Sequence, residues 1–198
     1  MKFFQEITLL HNPEIGVYFL WKKVFQQVHL ALVETKNEED LVPVGLSFPE
    51  YDETTCRLGA KLRLFAESED ILNRLNITVW LQKFSDYVHI TGIRPVPGAR
   101  VKEYGAFMRW RVDMNIERLA RRRAKRHNET LEQAMEHLSG FEAKTSVPPF
   151  IQMKSLSDNR DFRLFISLKK SDVSVSGLFN CYGLSTTKRT VAATVPLF

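Results

Sequence analysis

Two periodicities divide the chain: short runs that alternate polar and apolar residues, and longer stretches with an apolar stripe every three or four positions. Residues 2–10 alternate with Phe3, Ile7 and Leu9 on one side, which predicts a strand, and His11-Asn12-Pro13 then turns the chain. A helix is predicted over 14–35, with Val17, Leu20, Val24, Val28, Ala31 and Leu32 as its buried stripe. His29 lies on this helix roughly 110° from the middle of the stripe, at the edge of the core, where a side chain reaches a cleft. Residues 42–48 and 60–66 alternate as two strands, the first ended by Pro49. Ser68 caps a second helix that carries Ile71, Leu72 and Leu75 and runs on through Trp80 and Phe84. Residues 87–94 are extended again, and the Pro-Gly stretch 95–98 breaks the chain.

The order strand, helix, strand, strand, helix, strand predicts an α+β protein whose residues 1–97 form a ferredoxin-like domain, the sandwich also used by RNA-recognition motifs. That fold serves many functions, and the aromatic signature of an RNA-recognition sheet is absent from residues 61–66. Residues 98–198 form the second predicted domain. Its first strand, 101–113, sets Tyr104, Ala106, Met108, Trp110 and Val112 on one side and Arg109 with Arg111 on the other. A helix opens at Ile116 behind the N-cap Asn115, with Glu117 at the positive end of the dipole. Thr130 and Gln133 form a capping box for another helix, ending near Leu138, with Leu131, Met135 and Leu138 toward the core. Pro148 and Pro149 close the helical section, and 150–154, 162–168 and 172–176 are predicted strands.

Charge changes this picture at one place. From Arg109 to His127, seven Arg and one Lys stand against Asp113 and Glu117, a net of +6, while the rest of the chain carries −1. On the helix, Arg118, Arg121, Arg122, Lys125 and Arg126 fall within an arc of roughly 140°, with Ala120, Ala124 and His127 opposite. A solvated face usually interleaves Glu with Lys; this one is mostly arginine, whose planar fork suits phosphate and base edges. It lacks the aromatic flank of a membrane-surface helix, so nucleic acid is the partner it implies and no membrane is.

Composition adds limits. With 44% hydrophobic residues the chain has ample core material, and no stretch approaches the roughly 20 apolar residues of a membrane span. Gln5 and Glu6 interrupt the only apolar run near the N-terminus, so a cytoplasmic protein is expected. Cys56 and Cys181 are far apart, and His11, His89, His127 and His137 have no metal-ligand spacing with each other or with either cysteine; no metal or other cofactor is assigned.

Several pieces then coincide: His29 on the first helix, Val44-Gly45-Leu46-Ser47-Phe48-Pro49, the arginine helix opened by Asn115-Ile116-Glu117-Arg118-Leu119, Phe162-Arg163-Leu164-Phe165-Ile166, Cys181-Tyr182-Gly183-Leu184-Ser185 and Val195-Pro196-Leu197-Phe198. Over nearly its whole length the chain resembles the type I-F CRISPR-associated endoribonuclease, which cuts the repeat hairpin of precursor CRISPR RNA. The resemblance implies a ferredoxin-like domain followed by one that presents the arginine helix. It makes His29 the catalytic histidine, Ser155 the serine that positions the scissile ribose and Tyr182 the tyrosine beside the histidine. It sets Arg109 and Arg111 where bases at the foot of the hairpin are read, Phe162 where an aromatic stacks under the stem, and Arg121, Arg122, Lys125 and Arg126 along the phosphates; Arg118, on the same arc, is expected to bind RNA beside them. Slow product release would keep such a tight-binding nuclease on its processed guide RNA, beside the other subunits of a type I-F surveillance complex.

Two positions depart from the family. Arg111 stands where relatives carry Gln, and Arg prefers guanine edges where Gln prefers adenine, which points to a different stem sequence. Asp158 replaces a hydroxyl residue, leaving the roles of Ser157 and Asp158 open. Chemically, RNA supplies its own nucleophile, the 2′-hydroxyl, so a histidine with a pKa near 6.5 suffices for proton transfer and no metal is required. Two rival readings stay open: a noncatalytic subunit that holds the hairpin, or a DNA-binding protein with the arginine helix in a major groove.

Overall fold

The first sheet is built around two adjacent central strands, Phe3–Leu9 and Lys61–Ala66. The computed structural model describes residues 1–110, 116–138, 148–155, 158–186 and 191–198, with the backbone alone at 116–119 and 138. Its elements are β1 (Phe3–Leu9), α1 (Val17–Glu34), β2 (Leu41–Val42), β3 (Gly45–Ser47), β4 (Lys61–Ala66), α2 (Glu69–Leu75), α3 (Ile77–Trp80), β5 (Val88–Ile90), β6 (Arg94–Pro95) and β7 (Glu103–Trp110). There follow α4 (Ile116–His127), α5 (Leu131–Leu138), β8 (Phe150–Lys154), β9 (Asp161–Ser171), β10 (Phe179–Asn180) and β11 (Val195–Leu197). The strands run β3-β4-β1-β5, all antiparallel, with β1 and β4 central, and this is the ferredoxin-like order expected. A second antiparallel sheet runs β11-β7-β9-β8, and β10 pairs with β2.

By their contacts the residues form two units, Met1–Trp110 with Pro148–Phe198, and Arg111–Val147. In the first, α1 packs on β1 and more extensively on β8, and a single core gathers Phe25, Val28, Leu32, Phe48, Leu62 and Leu64 with Phe107, Met153, Leu164 and Ile166 of the second sheet. Four aromatic rings knit it: Phe48 meets Trp21 at 5.6 Å, Phe25 at 6.4 Å and Phe107 at 5.5 Å between centroids.

Several elements differ from those predicted, each for a local reason. The Asn12 side chain accepts from the N–H groups of Glu14 and Ile15 at 2.8 and 3.0 Å, so the first helix begins only at Val17, and Val17, in its first turn, is 40% exposed instead of joining the stripe. Trp21 and Phe25 fill the stripe in its place. The single strand over 42–48 is two, because Pro43 has no N–H to continue a ladder; β2 turns to β10 and β3 to β4. Asn76 adopts a left-handed conformation (φ 44°) that ends α2 and resets the chain before α3 and a 3₁₀ turn at Gln82–Phe84, so no continuous helix reaches Phe84. Residues 172–176 form no strand: the Ser171 hydroxyl closes a turn with Val173, and Val175 bonds Thr194 through backbone and hydroxyl.

The second unit contains α4 packed on α5. The capping box forms as predicted, Gln133 N–H donating to the Thr130 hydroxyl at 3.2 Å and Thr130 N–H to the Gln133 side-chain oxygen at 3.0 Å. Among its described residues the buried positions are Ala120 and Ala134, both fully inaccessible, whereas Leu131 and Met135 are 37% and 43% exposed and do not line the core. Leu138's side chain lies outside the described residues. No described helix is long and apolar enough to cross a membrane.

Candidate active site

His29 is fixed from two directions. Its neighbours Val28 and Leu32 are fully buried, which sets the rotation of α1 and leaves His29 half-buried at the core's edge. The ring's Nδ1 lies 2.8 Å from the Cys181 carbonyl oxygen. A carbonyl only accepts, so Nδ1 carries the proton and the lone pair of the neutral ring resides on Nε2. Burial pulls the His29 pKa below 6.5, and the bond to Cys181 opposes that shift in part.

Tyr182 covers the imidazole, ring on ring, with centroids 4.4 Å apart and planes 12° from parallel. The Arg109 guanidinium lies 5.8 Å from the Tyr182 ring centre and 5.7 Å from that of Phe162. Its strand explains the placement: Arg109 shares a face of β7 with buried Phe107, and opposite residues on β9 carry the same face on to Phe162. His29, Tyr182, Arg109 and Phe162 thus form one row where the core ends. Burial raises the Tyr182 pKa, against the Arg109 charge, so its phenol keeps its proton at neutral pH.

The loop that carries Tyr182 must approach the core closely. Gly183 has φ +69°, and a Cβ there would run into the Leu46 side chain, so glycine is required on both counts. Leu46 N–H donates to the Gly183 carbonyl at 2.9 Å, and Ser185 N–H to the Phe107 carbonyl at 2.7 Å. The histidine, the tyrosine and the arginine strand are therefore laced through backbone bonds.

Ser155 follows β8. Its N–H donates to the Arg160 carbonyl at 2.8 Å, and its hydroxyl bonds the Asp158 carboxylate, which lowers the Asp158 pKa. One residue earlier, Lys154 N–H reaches the side-chain oxygen of Gln26 at 3.4 Å, one helical turn from His29 on α1. Lys22, a turn further back, pairs with Asp161 at 3.1 Å. Ser157 and Arg111 lie outside the described residues, as does the side chain of Arg118.

In the second unit Arg121, Arg122, Lys125 and Arg126 are exposed on α4, as the arc predicted, and His127, placed on the opposite side, is exposed too. Arg123 is turned elsewhere and pairs with Glu129 at 2.7 Å. Among the described residues no three His, Cys, Asp or Glu side chains gather where they could hold a metal ion.

The pattern of residues gave no sign of the Cys181 carbonyl, the Gln26 amide or the Asn180 side chain considered below. The first is backbone, invisible in composition; the other two are polar residues whose partners are remote in sequence or set by loop geometry.

The family described as CRISPR-associated protein (Cas_Csy4) matches residues 4–198. The CRISPR-associated endonuclease Cas6/Csy4 of Pseudomonas aeruginosa (strain UCBPP-PA14) is 33% identical over 186 residues, which cover 93% of this chain and 96% of that protein. The protein of the same name from Escherichia coli (strain UTI89 / UPEC) is 33% identical over 201 aligned positions, covering all of both chains. With His29, Tyr182, Arg109 and Phe162 in one row and a family match along nearly the whole length, the chain belongs to the Cas6/Csy4 family of type I-F CRISPR-associated endonucleases.

Proposed function

We propose that this chain is an endoribonuclease that binds the CRISPR repeat stem-loop and cuts precursor CRISPR RNA without a metal, then stays on the mature guide RNA. The observation that carries this is the His29 tautomer: with Nδ1 held by the Cys181 carbonyl, Nε2 is the proton acceptor, and a lowered pKa keeps it unprotonated at neutral pH.

In the reaction the 2′-oxygen attacks the adjacent phosphorus, Nε2 of His29 takes the hydroxyl proton, and the bond from phosphorus to the 5′-oxygen breaks. The products are a 2′,3′-cyclic phosphate and, once the leaving oxygen is protonated, a 5′-hydroxyl. Ser155 orients the ribose, its own hydroxyl held by the Asp158 carboxylate, and leaves the single 2′-hydroxyl proton to Nε2 of His29. Orientation of this kind is worth several kcal/mol, roughly 7 to 11 at the extreme. Arg109 and Arg111 read bases at the foot of the stem, Phe162 stacks beneath it, and Arg118, Arg121, Arg122, Lys125 and Arg126 track phosphates. On this reading residues 1–97 form the domain that carries His29 and residues 98–198 the domain that grips the hairpin. The major groove of A-form RNA is too deep for side chains along its length, so the helix enters at the stem's open end or near the loop.

Other subunits of a type I-F surveillance complex are the protein partners proposed, with the cytoplasm as the place of action. The test is cleavage of a repeat hairpin in EDTA by wild type and His29→Ala. One cut by wild type, none by the variant and unchanged binding support the reading. A wild type that binds tightly and never cuts is a guide-holding subunit instead.

A further inference from the structure

The loop 181–184 that follows β10 supplies the Cys181 carbonyl and the Tyr182 ring to His29, and it has no helix or strand of its own to hold its shape. One side chain at its start makes the bonds that a helix or sheet would otherwise make. The Asn180 side-chain oxygen accepts from Tyr182 N–H at 2.9 Å and from Leu184 N–H at 3.2 Å. Its carbonyl accepts from Gly183 N–H at 2.7 Å, and its own N–H donates to the Leu184 carbonyl at 2.9 Å. Asn180 itself is anchored from outside the loop, since it pairs with Leu41 in the β10–β2 ladder.

We infer that Asn180 is a positioning residue for the cleavage reaction: it fixes the loop that aims the Cys181 carbonyl at Nδ1 of His29 and lays Tyr182 over the ring. The inference rests on the proposed role of His29 and adds to it the device that sets the tautomer. The bonds of Asn180 are to the loop and not to the imidazole; it acts through Cys181 and Tyr182. Without its side-chain oxygen two loop N–H groups lose their partner, the carbonyl is free to rotate away, and the proton of the neutral ring redistributes toward Nε2, the nitrogen that must be bare.

The experiment pairs Asn180→Ala with Asn180→Asp, which keeps an acceptor oxygen at the same reach. Ring-nitrogen NMR of the free protein reads the His29 tautomer, and single-turnover cleavage is compared with hairpin affinity. Asn180→Ala should shift the His29 proton toward Nε2 and slow cleavage on the order of ten- to a hundredfold with affinity within about twofold, and Asn180→Asp should restore both. A wild-type tautomer and rate in Asn180→Ala overturns the inference, as does a loss that Asn180→Asp fails to restore. Should Asn180→Ala not fold, Asn180→Gln, which displaces the oxygen by one methylene, replaces it; equal behaviour of Gln and Asp then overturns the inference. If wild type does not cut RNA at all, the proposed function fails, while the NMR arm still decides whether Asn180 sets the tautomer.

Discussion

His29 and Tyr182 lie face to face, 4.4 Å between ring centres and 12° from parallel, while the residue before Tyr182 holds Nδ1 of the same histidine through its carbonyl. One dipeptide thereby controls the tilt and the tautomer of the imidazole. If the Tyr182 ring orients His29, Tyr182→Phe retains most of the single-turnover rate, and Tyr182→Ala loses on the order of a hundredfold with hairpin affinity little changed. Equal losses in both variants would move the function to the phenol oxygen.

Burial gives His29 a pH signature. Its folded pKa lies below 6.5, so as pH falls below that value the unfolded chain takes up the proton first and the folded state loses stability; above it the penalty vanishes. NMR titration of the free protein should therefore find His29 titrating below 6.5. Thermal melts should show wild type losing ground to His29→Ala as pH is lowered from 6.5 toward 5. A His29 pKa above 6.5 in the free protein would contradict the assignment.

Phe107 sits at the meeting point of the two sheets, edge-on to Phe48 at 5.5 Å and to Tyr51 at 5.8 Å, and only 1% exposed. Phe107→Ala should cost about 3–5 kcal/mol in urea unfolding. Because Phe107 shares its strand with Arg109, it should also slow cleavage at temperatures where the protein is still folded.

The cations of α4 predict a salt effect. If Arg121, Arg122, Lys125 and Arg126 meet phosphates, each neutral replacement should weaken hairpin binding and flatten the plot of log affinity against log salt by about 0.7 to 0.9. The cleavage rate of saturated complex should not change. Slopes identical to wild type would mean that these residues face solvent.

How far could this have been read from the chain alone? Wherever one rule acts undisturbed, it could: the pairing of β1 with β4 and the capping box of Thr130 with Gln133 form as the pattern dictates, and the stripe on α1 does so from Leu20 onward, with Val17 left out. The misses come where a second rule overrides the first. Alternation ran straight through Pro43, whose missing N–H divides the strand, and the apolar spacing after Ser68 hid the left-handed turn at Asn76. Leu131 and Met135 had core spacing, but both are exposed, and among the described residues of the helix pair only Ala120 and Ala134 are buried. At the site, the edge position of His29 followed from periodicity, whereas Ser155 could not have been told from Ser157 without the family resemblance. The Cys181 carbonyl and the Asn180 brace depend on backbone geometry that no residue pattern encodes.

The most direct measurement gives the protein a repeat hairpin with a single 2′-deoxy nucleotide immediately 5′ of the scissile phosphate, beside the all-ribose hairpin, and follows binding, cleavage and product termini. In-line attack by the 2′-hydroxyl, with its proton passing to His29, predicts equal binding, no cut in the deoxy substrate, and a 2′,3′-cyclic phosphate with a 5′-hydroxyl from the ribose one. Cleavage of the deoxy substrate at the same site would contradict it, because the nucleophile would then have to come from elsewhere.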